Sequence, residues 1–207
     1  MRIGKNGSIA PLVCWAVFSW FLFGCGGARV ERPHGSPGAS ARPASIERLA
    51  EPLGLDVAEH CFNATDDNAN GLLDEGCGVE QGQLQFLASW QEGAVDVDLS
   101  VTGPSGQAAE VGARSSDGLT KIRDCPGEGQ ACQGQNQENV LLDGPDLEAG
   151  TYWVRLRLED LGGTPPPVVV RLGVRASGRT TGFVVELWEP GSEAFVRVTE
   201  KTANVGP

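Results

Sequence analysis

The stretch Val95-Asp96-Val97-Asp98-Leu99-Ser100-Val101 alternates apolar and polar residues with a period of two. Successive side chains of a β-strand point to opposite faces, so this pattern places valine and leucine on one face and the aspartates on the other. The stretch therefore predicts a strand with one face in a core and one face in water.

The same alternation appears on both sides of this stretch. Leu84, Phe86, Ala88 and Trp90 share one face just before it, and residues 152–158, 168–175, 183–187 and 195–198 repeat the pattern after it. Segments rich in glycine and proline separate these runs and predict turns. Seven or eight short strands predict an antiparallel β-sandwich, Ig-like or jelly-roll-like, over residues 79–207. The tryptophans Trp90, Trp153 and Trp188 are expected to pack in its core or at its rim.

Residues 115–139 interrupt the alternation with a long polar segment. Loops of this length within a compact domain are usually functional or disordered. We expect a strand-poor insertion here, and a protein or glycan partner would be sought at this loop first.

A second distinctive segment, Cys61 to Cys77, concentrates acidic and amide side chains around Gly71. A calcium loop needs a tight turn at its sixth position and oxygen ligands at positions one, three, five, seven and nine. Cys77 occupies position twelve, so Glu75 would have to supply the last ligand. The predicted calcium ligands are Asp66, Asn68, Asn70, the carbonyl of Leu72, Asp74 and Glu75. An acidic turn held by a disulfide without any metal is the alternative interpretation.

The cysteine pattern indicates an oxidising compartment. Without Cys14 and Cys25 of the N-terminal segment, four cysteines remain, and four cysteines allow three pairings. The short-range pairing of Cys61 with Cys77 and Cys125 with Cys132 is favoured because each pair brackets a polar loop containing glycine. A zinc site built from these four is the competing hypothesis, although neither pair has the two-residue spacing common in such sites.

The N-terminus reads as a secretion signal. Two basic residues precede an apolar run, residues 9–23, that is short for a membrane span. The run ends in Leu22-Phe23-Gly24-Cys25, which resembles the lipobox of bacterial lipoproteins. The resemblance implies a signal peptide over 1–24, palmitate-type acylation of Cys25, a membrane anchor through this lipid, and an outer-membrane location in a Gram-negative envelope. A plain secretion signal or an uncleaved anchor are the alternatives.

Residues 25–57 are expected to form a flexible lipidated tether, because Gly, Pro, Ser, Ala and Arg dominate residues 26–45 and cannot bury a core. One or two helical turns are expected from Ser45 onward, before Pro52. The acidic motif, residues 58–78, then precedes the sandwich.

Charge and motif content narrow the function classes. Removing two basic residues with the signal leaves 14 basic against 27 acidic residues, a net charge of −13. Such an acidic chain argues against nucleic-acid partners and is compatible with divalent cations. The chain has no Gly-x-Ser-x-Gly, His-Glu-x-x-His or phosphate-loop motif, and its two histidines, His34 and His60, lie outside the sandwich. We therefore expect a protein that is not an enzyme.

Two further resemblances refine this expectation. The segment from Cys61 to Cys77 resembles the metal-binding motif of bacterial surface proteins related to the MopE repeat, with Ala64 where that family commonly has glycine. Because all of its ligands are oxygens, the resemblance implies Ca²⁺ as the bound ion in preference to copper.

Three segments of the sandwich resemble YfaP-type extracellular β-domains and pre-peptidase C-terminal domains. They are Trp90, Asp96-Val-Asp98-Leu and Gly150-Thr-Tyr152. That likeness implies a second metal site at Asp96 and Asp98, with Asp117 or Asp124 as a loop ligand. Solubility of an edge strand is the alternative role of these two aspartates.

These features together predict a cell-envelope lipoprotein that acts as a binding or structural surface module with a weak calcium-type site. A carbohydrate-binding accessory module of an extracellular enzyme system is the alternative, and a hydrolase is the more distant one.

Overall fold

The computed structural model describes residues 44–50, 57–127, 132, 135–142, 144, 147–199 and 203–205. The predicted signal peptide, Cys25 and the tether up to residue 43 lie outside the described residues. Within the described ranges the fold is all-β, and no helix is long and apolar enough to cross a membrane. The strands are β1 Ser45–Arg48, β2 Leu84–Trp90, β3 Asp96–Thr102, β4 Leu119–Cys125, β5 Asn136–Leu142, β6 Thr151–Asp160, β7 Val168–Ala176, β8 Arg179–Leu187, β9 Glu193–Thr199 and β10 Ala203–Val205.

The strands form two antiparallel sheets. One has six strands in the order β1-β8-β7-β2-β5-β4, and the other has four in the order β10-β9-β6-β3. Inward side chains from both sheets form one hydrophobic core, with Phe86, Tyr152, Leu156 and Phe183 among its fully buried members. This confirms the predicted β-sandwich, and all the runs identified by alternation are strands, although the described strands number ten and not seven or eight.

The expected helical turn at Ser45 is wrong, because this segment is strand β1. It pairs antiparallel with β8, from Ser45 opposite Glu186 to Arg48 opposite Phe183. Ile46 and Ala44 pack against the core from this edge. Burial of Ile46 beside an available strand edge outweighs a helix start that rests on local propensity.

The expectation of a strand-poor insertion at 115–139 is also wrong. The segment contributes β4 and most of β5, and β5 lies inside the six-stranded sheet between β2 and β4. Every residue of β5 is buried. Its first four residues, Asn136 to Asn139, are polar on both faces of the strand and give no alternating signal, whereas Val140 and Leu142 join the hydrophobic core.

Both predicted disulfides are present. Cys61 bonds Cys77 and Cys125 bonds Cys132, each with 5.3 Å between the Cα atoms. The competing zinc hypothesis is wrong, because the four sulfurs are bonded to one another in pairs.

Candidate functional site

The segment closed by the first disulfide, called the acidic loop below (Cys61–Cys77), packs on the outer face of the six-stranded sheet. Ala64 and Leu73 of the loop and Leu87 of β2 form a second, separate hydrophobic cluster on that face. Gly173 of β7 leaves room for the loop, because a Cβ there would lie 2.3 Å from the carbonyl oxygen of Ala64. The loop is therefore an additional layer of the fold.

Hydrogen bonds from the sheet hold the loop at several points. The Nε of Arg175 donates to the carbonyl of Gly71 at 2.6 Å, and Thr180 Oγ1 donates to Asp66 Oδ2 at 2.8 Å. Gln137 Nε2 of β5 donates to Asp74 Oδ2 at 3.1 Å. Asn139 Nδ2 and Gln85 Nε2 both donate to the carbonyl of Glu80, each at 3.0 Å. Gln137 of β5 thus holds the acidic loop, whereas Asn139 and Gln85 hold Glu80, just after it.

The backbone of the loop has the turn that a calcium loop requires. Gly71, at the sixth position, has a φ of +85°, which favours glycine. Asp66 accepts hydrogen bonds from the amides of Asn70 at 3.0 Å and Gly71 at 2.9 Å, which fixes the turn. Ala64, where the resembling family has glycine, also adopts a positive φ of +54°.

The structure brings three of the predicted ligands together. The amides of Asn68 and Asn70 both donate from Nδ2 to Glu75 Oε1, each at 2.5 Å, so Glu75 reaches into the loop as the sequence suggested. Leu72, two residues after Asn70, donates its amide to Asn70 Oδ1 at 2.9 Å. Rotation of an asparagine amide exchanges its nitrogen and oxygen, so a cation beside the Glu75 carboxylate would meet amide oxygens from both residues.

Asp74 has a different position from that predicted for a ligand. Its side chain is fully buried and accepts hydrogen bonds from the amides of Asn63 at 3.2 Å and Ala64 at 3.1 Å, besides the one from Gln137. Burial raises the pKa of the Asp74 carboxyl to about 6, against the backbone hydrogen bonds from Ala64 and Asn63, which lower it. In this arrangement Asp74 ties the loop to the sheet.

Glu59 adds to the negative charge around the acidic loop. Its Oε1 accepts the amide of Asp74 at 3.2 Å. Burial and the neighbouring charge of Glu75 raise the pKa of Glu59 to about 7. A cation bound among these carboxylates would lower both raised pKa values.

A second group of carboxylates lies at the open side of the sandwich, between the edge strands β3 and β4. One oxygen from each of Asp98, Asp124 and Glu138 lies within 4.8 Å of the others, and we call these three residues the carboxylate cluster. The sequence pattern indicates Asp98 and Asp124 but not Glu138, because strand β5 lacks a clear alternation of apolar and polar residues. Asp96, the other predicted residue, lies outside this group of three, and burial followed by the charge of Asp98 raises its pKa. Asp117 instead holds the turn after β3, because its carboxylate accepts the amide and hydroxyl of Ser105.

Lys121 of β4 lies within the carboxylate cluster. Its Nζ is 2.7 Å from Asp124 Oδ1 and 3.0 Å from Glu138 Oε2. Burial and a hydrogen bond with Asp124 raise the pKa of Glu138 well above its usual range. Burial alone would raise the pKa of Asp124, but the hydrogen bond with Glu138 and the Lys121 ammonium outweigh it, and the pKa is lowered.

A third surface is the outer face of the four-stranded sheet. Trp153 of β6 is 41% exposed and Phe195 of β9 is 38% exposed. The strand register places Trp153 opposite Arg197 and Phe195 opposite Arg155. The expectation that Trp153 belongs to the core or rim is therefore wrong, whereas Trp90 is buried and donates from Nε1 to the carbonyl of Val95 at 3.0 Å.

The fold and these groups define an antiparallel β-sandwich that carries a disulfide-closed acidic loop as a third layer. No protein-family model matches the chain, and no curated protein or solved structure matches it either.

Proposed function

We propose that this protein is an exported envelope lipoprotein, without enzymatic activity, that acts as a binding or structural surface module and takes one Ca²⁺ weakly in its acidic loop. The observation that carries the calcium proposal is the convergence of Asn68 and Asn70 on Glu75 around a loop whose sixth residue, Gly71, has a positive φ. Oxygen ligands in a flexible loop suit calcium.

The anchor and the location rest on sequence and on redox chemistry. The lipobox-like segment ending in Cys25 supports acylation and a membrane anchor. The two disulfides support an oxidising compartment outside the cytoplasm. A net charge of −11 for the whole chain argues against nucleic acid as a partner.

Calcium binding would stabilise the fold because the acidic loop is part of it. For a ligand at ten times its Kd, linkage stabilises the native state by about 1.4 kcal/mol. For a protein of this size that corresponds to a rise in Tm of about 3–5 °C. The affinity of extracellular calcium modules lies at about 10⁻⁴ to 10⁻³ M, so the rise is expected at millimolar calcium.

Thermal melts of the purified chain with calcium or with chelator test this proposal. Glu75→Gln removes the carboxylate on which Asn68 and Asn70 converge and is expected to abolish most of the loop-dependent rise in Tm. Glu80→Gln removes an exposed carboxylate just outside the loop and serves as the matched control. An equal calcium response in Glu75→Gln and Glu80→Gln would refute calcium binding by the loop.

The alternative function, a carbohydrate-binding accessory module, is favoured by one observation. Trp153 and Phe195 expose aromatic surface beside Arg155 and Arg197 on a sheet face, and exposed aromatic rings are suited to stacking on sugars. A glycan array probed with the native chain and with Trp153→Ala tests this alternative. Glycan binding that disappears in the variant would favour it over a protein partner.

A further inference from the structure

Glu138 is a fully buried carboxylate that reaches from β5 of the six-stranded sheet to β3 of the other sheet. Its Oε2 accepts the backbone amide of Leu99 on β3 and the ammonium of Lys121. Its Oε1 is buried, and in the described part of the chain no amide, hydroxyl or ammonium group donates to it. A buried carboxylate oxygen without a donor is costly, so it either shares a proton with Asp124 or takes a cation as its partner.

The surroundings of Glu138 indicate the chemistry of that partner. Asp98 of β3 and Asp124 of β4 each bring a carboxylate oxygen to the same place, within 4.8 Å of one another and of Glu138. Oxygen ligands lie about 2.3–2.6 Å from a calcium ion, so two ligands on opposite sides of one ion are separated by about 5 Å. The separations within the carboxylate cluster therefore fit one shared cation.

The charges of the cluster point the same way. Three carboxylates together with the single ammonium of Lys121 carry a net charge of −2 when all are ionised. Asp96 interacts electrostatically with Asp98 and Asp124, and its carboxylate adds a further negative charge next to the cluster. One divalent cation would neutralise the three carboxylates with Lys121, leaving the charge of Asp96, and the Lys121 ammonium would keep its contact with Asp124.

We propose that Asp98, Asp124 and Glu138 form a divalent-cation site, suited to Ca²⁺, that links the two sheets at the open side of the sandwich. This site is separate from the acidic loop in residues and in position. Asp98 belongs to the four-stranded sheet, and Asp124 and Glu138 belong to the six-stranded sheet. A cation there would join the edge strands β3 and β4, which share no backbone ladder.

Calcium titration calorimetry on the purified full chain tests the proposal. Asp98→Asn is the main variant, because Asp98 is half-buried and its replacement keeps the shape of the side chain. Glu138→Gln is the second variant, since the glutamine oxygen can still accept the amide of Leu99. Glu47→Gln, which removes an exposed carboxylate on β1 at the opposite edge of the six-stranded sheet, is the matched control.

We expect the native chain and Glu47→Gln to bind two calcium ions, and Asp98→Asn and Glu138→Gln to bind one. In Glu75→Gln the ion at the carboxylate cluster should remain, and Glu75→Gln combined with Asp98→Asn should bind none. If the loop proposal fails, the native chain will bind a single ion that Asp98→Asn removes and Glu75→Gln leaves. The same calcium stoichiometry in Asp98→Asn as in Glu47→Gln would overturn the proposal and leave Lys121 as the counter-charge of the cluster.

Discussion

Replacing Gly173 by alanine would test how firmly the acidic loop is seated on the six-stranded sheet. The added Cβ would lie 2.3 Å from the carbonyl oxygen of Ala64 and 3.0 Å from both Cδ atoms of Leu73. An ordinary contact needs about 3.4 Å, so the loop would have to move outward by about 1 Å. Ala64 cannot retreat freely, because its amide donates to the buried Asp74 and the loop is closed by a disulfide.

The expected cost follows from this geometry. Overpacking of a buried contact typically costs about 1–3 kcal/mol. Partial loss of the burial of Leu73 against Leu87 adds to this, since full burial of a leucine side chain contributes about 1.5–3 kcal/mol. We expect Gly173→Ala to lower the free energy of unfolding by about 2–4 kcal/mol and the Tm by about 5–10 °C.

Urea denaturation and hydrogen exchange provide the measurement. Gly93→Ala is the matched control, because a Cβ at Gly93 meets no atom within 4 Å and its φ is not positive. Amide protection should fall within residues 61–77 in Gly173→Ala and remain in the core strands. If Gly173→Ala and Gly93→Ala unfold at the same urea concentration with unchanged protection in the loop, the loop is not seated as described.

Three further predictions follow from the site and the N-terminus. Since the pKa of Asp74 is raised to about 6, this group takes up a proton more readily in the folded state than in the unfolded one, and its contribution to stability should rise by about 1 kcal/mol between pH 7 and pH 5, in addition to that of Glu59. Asp74→Asn, measured with chelator present, should lack this increment, and an identical pH response in both proteins would refute it. Cys25→Ser should release the protein from the membrane fraction and abolish labelling by a palmitate analogue, whereas a native protein that stays in the membrane without any label would contradict acylation. Trp153→Ala should lower the Tm by about 2–6 °C, because 41% of Trp153 is exposed and the covered remainder contributes to packing on the sheet face, and an unchanged Tm would show that the ring packs against nothing.

The strands of the sandwich were predictable where one face of the strand is apolar and the other is exposed to solvent. β3 and β6 have this pattern, and their alternation identified them. β5 could not be recognised in the same way, because Gln137 bonds the acidic loop, Asn139 bonds the carbonyl of Glu80, and Glu138 bonds Leu99 and Lys121. The hydrogen-bond partner of Gln137 is 63 residues away in the chain, and local periodicity carries no information about it.

The sequence likewise predicted some features of the acidic loop and not others. The turn at Gly71 and the inward reach of Glu75 depend on nearby residues, and motif spacing predicted both. The position of Asp74 depends on the sheet beneath it, so spacing alone assigned it to a ligand set rather than to the amides of Asn63 and Ala64. The strand at Ser45 likewise depends on an edge of β8 that lies far along the sequence.

The acidic loop makes the two broad sides of the molecule unequal. Residues of the loop cover the middle strands of the six-stranded sheet, so a large partner approaching from that side meets the loop before it meets the sheet. In the described part of the chain, the outer face of the four-stranded sheet presents the side chains of Trp153 and Phe195 directly to solvent. A fluorescent label or an affinity tag would therefore disturb folding least on the side of the four-stranded sheet. An insertion into the acidic loop would instead expose the side chains of β2 and β5 that the loop covers.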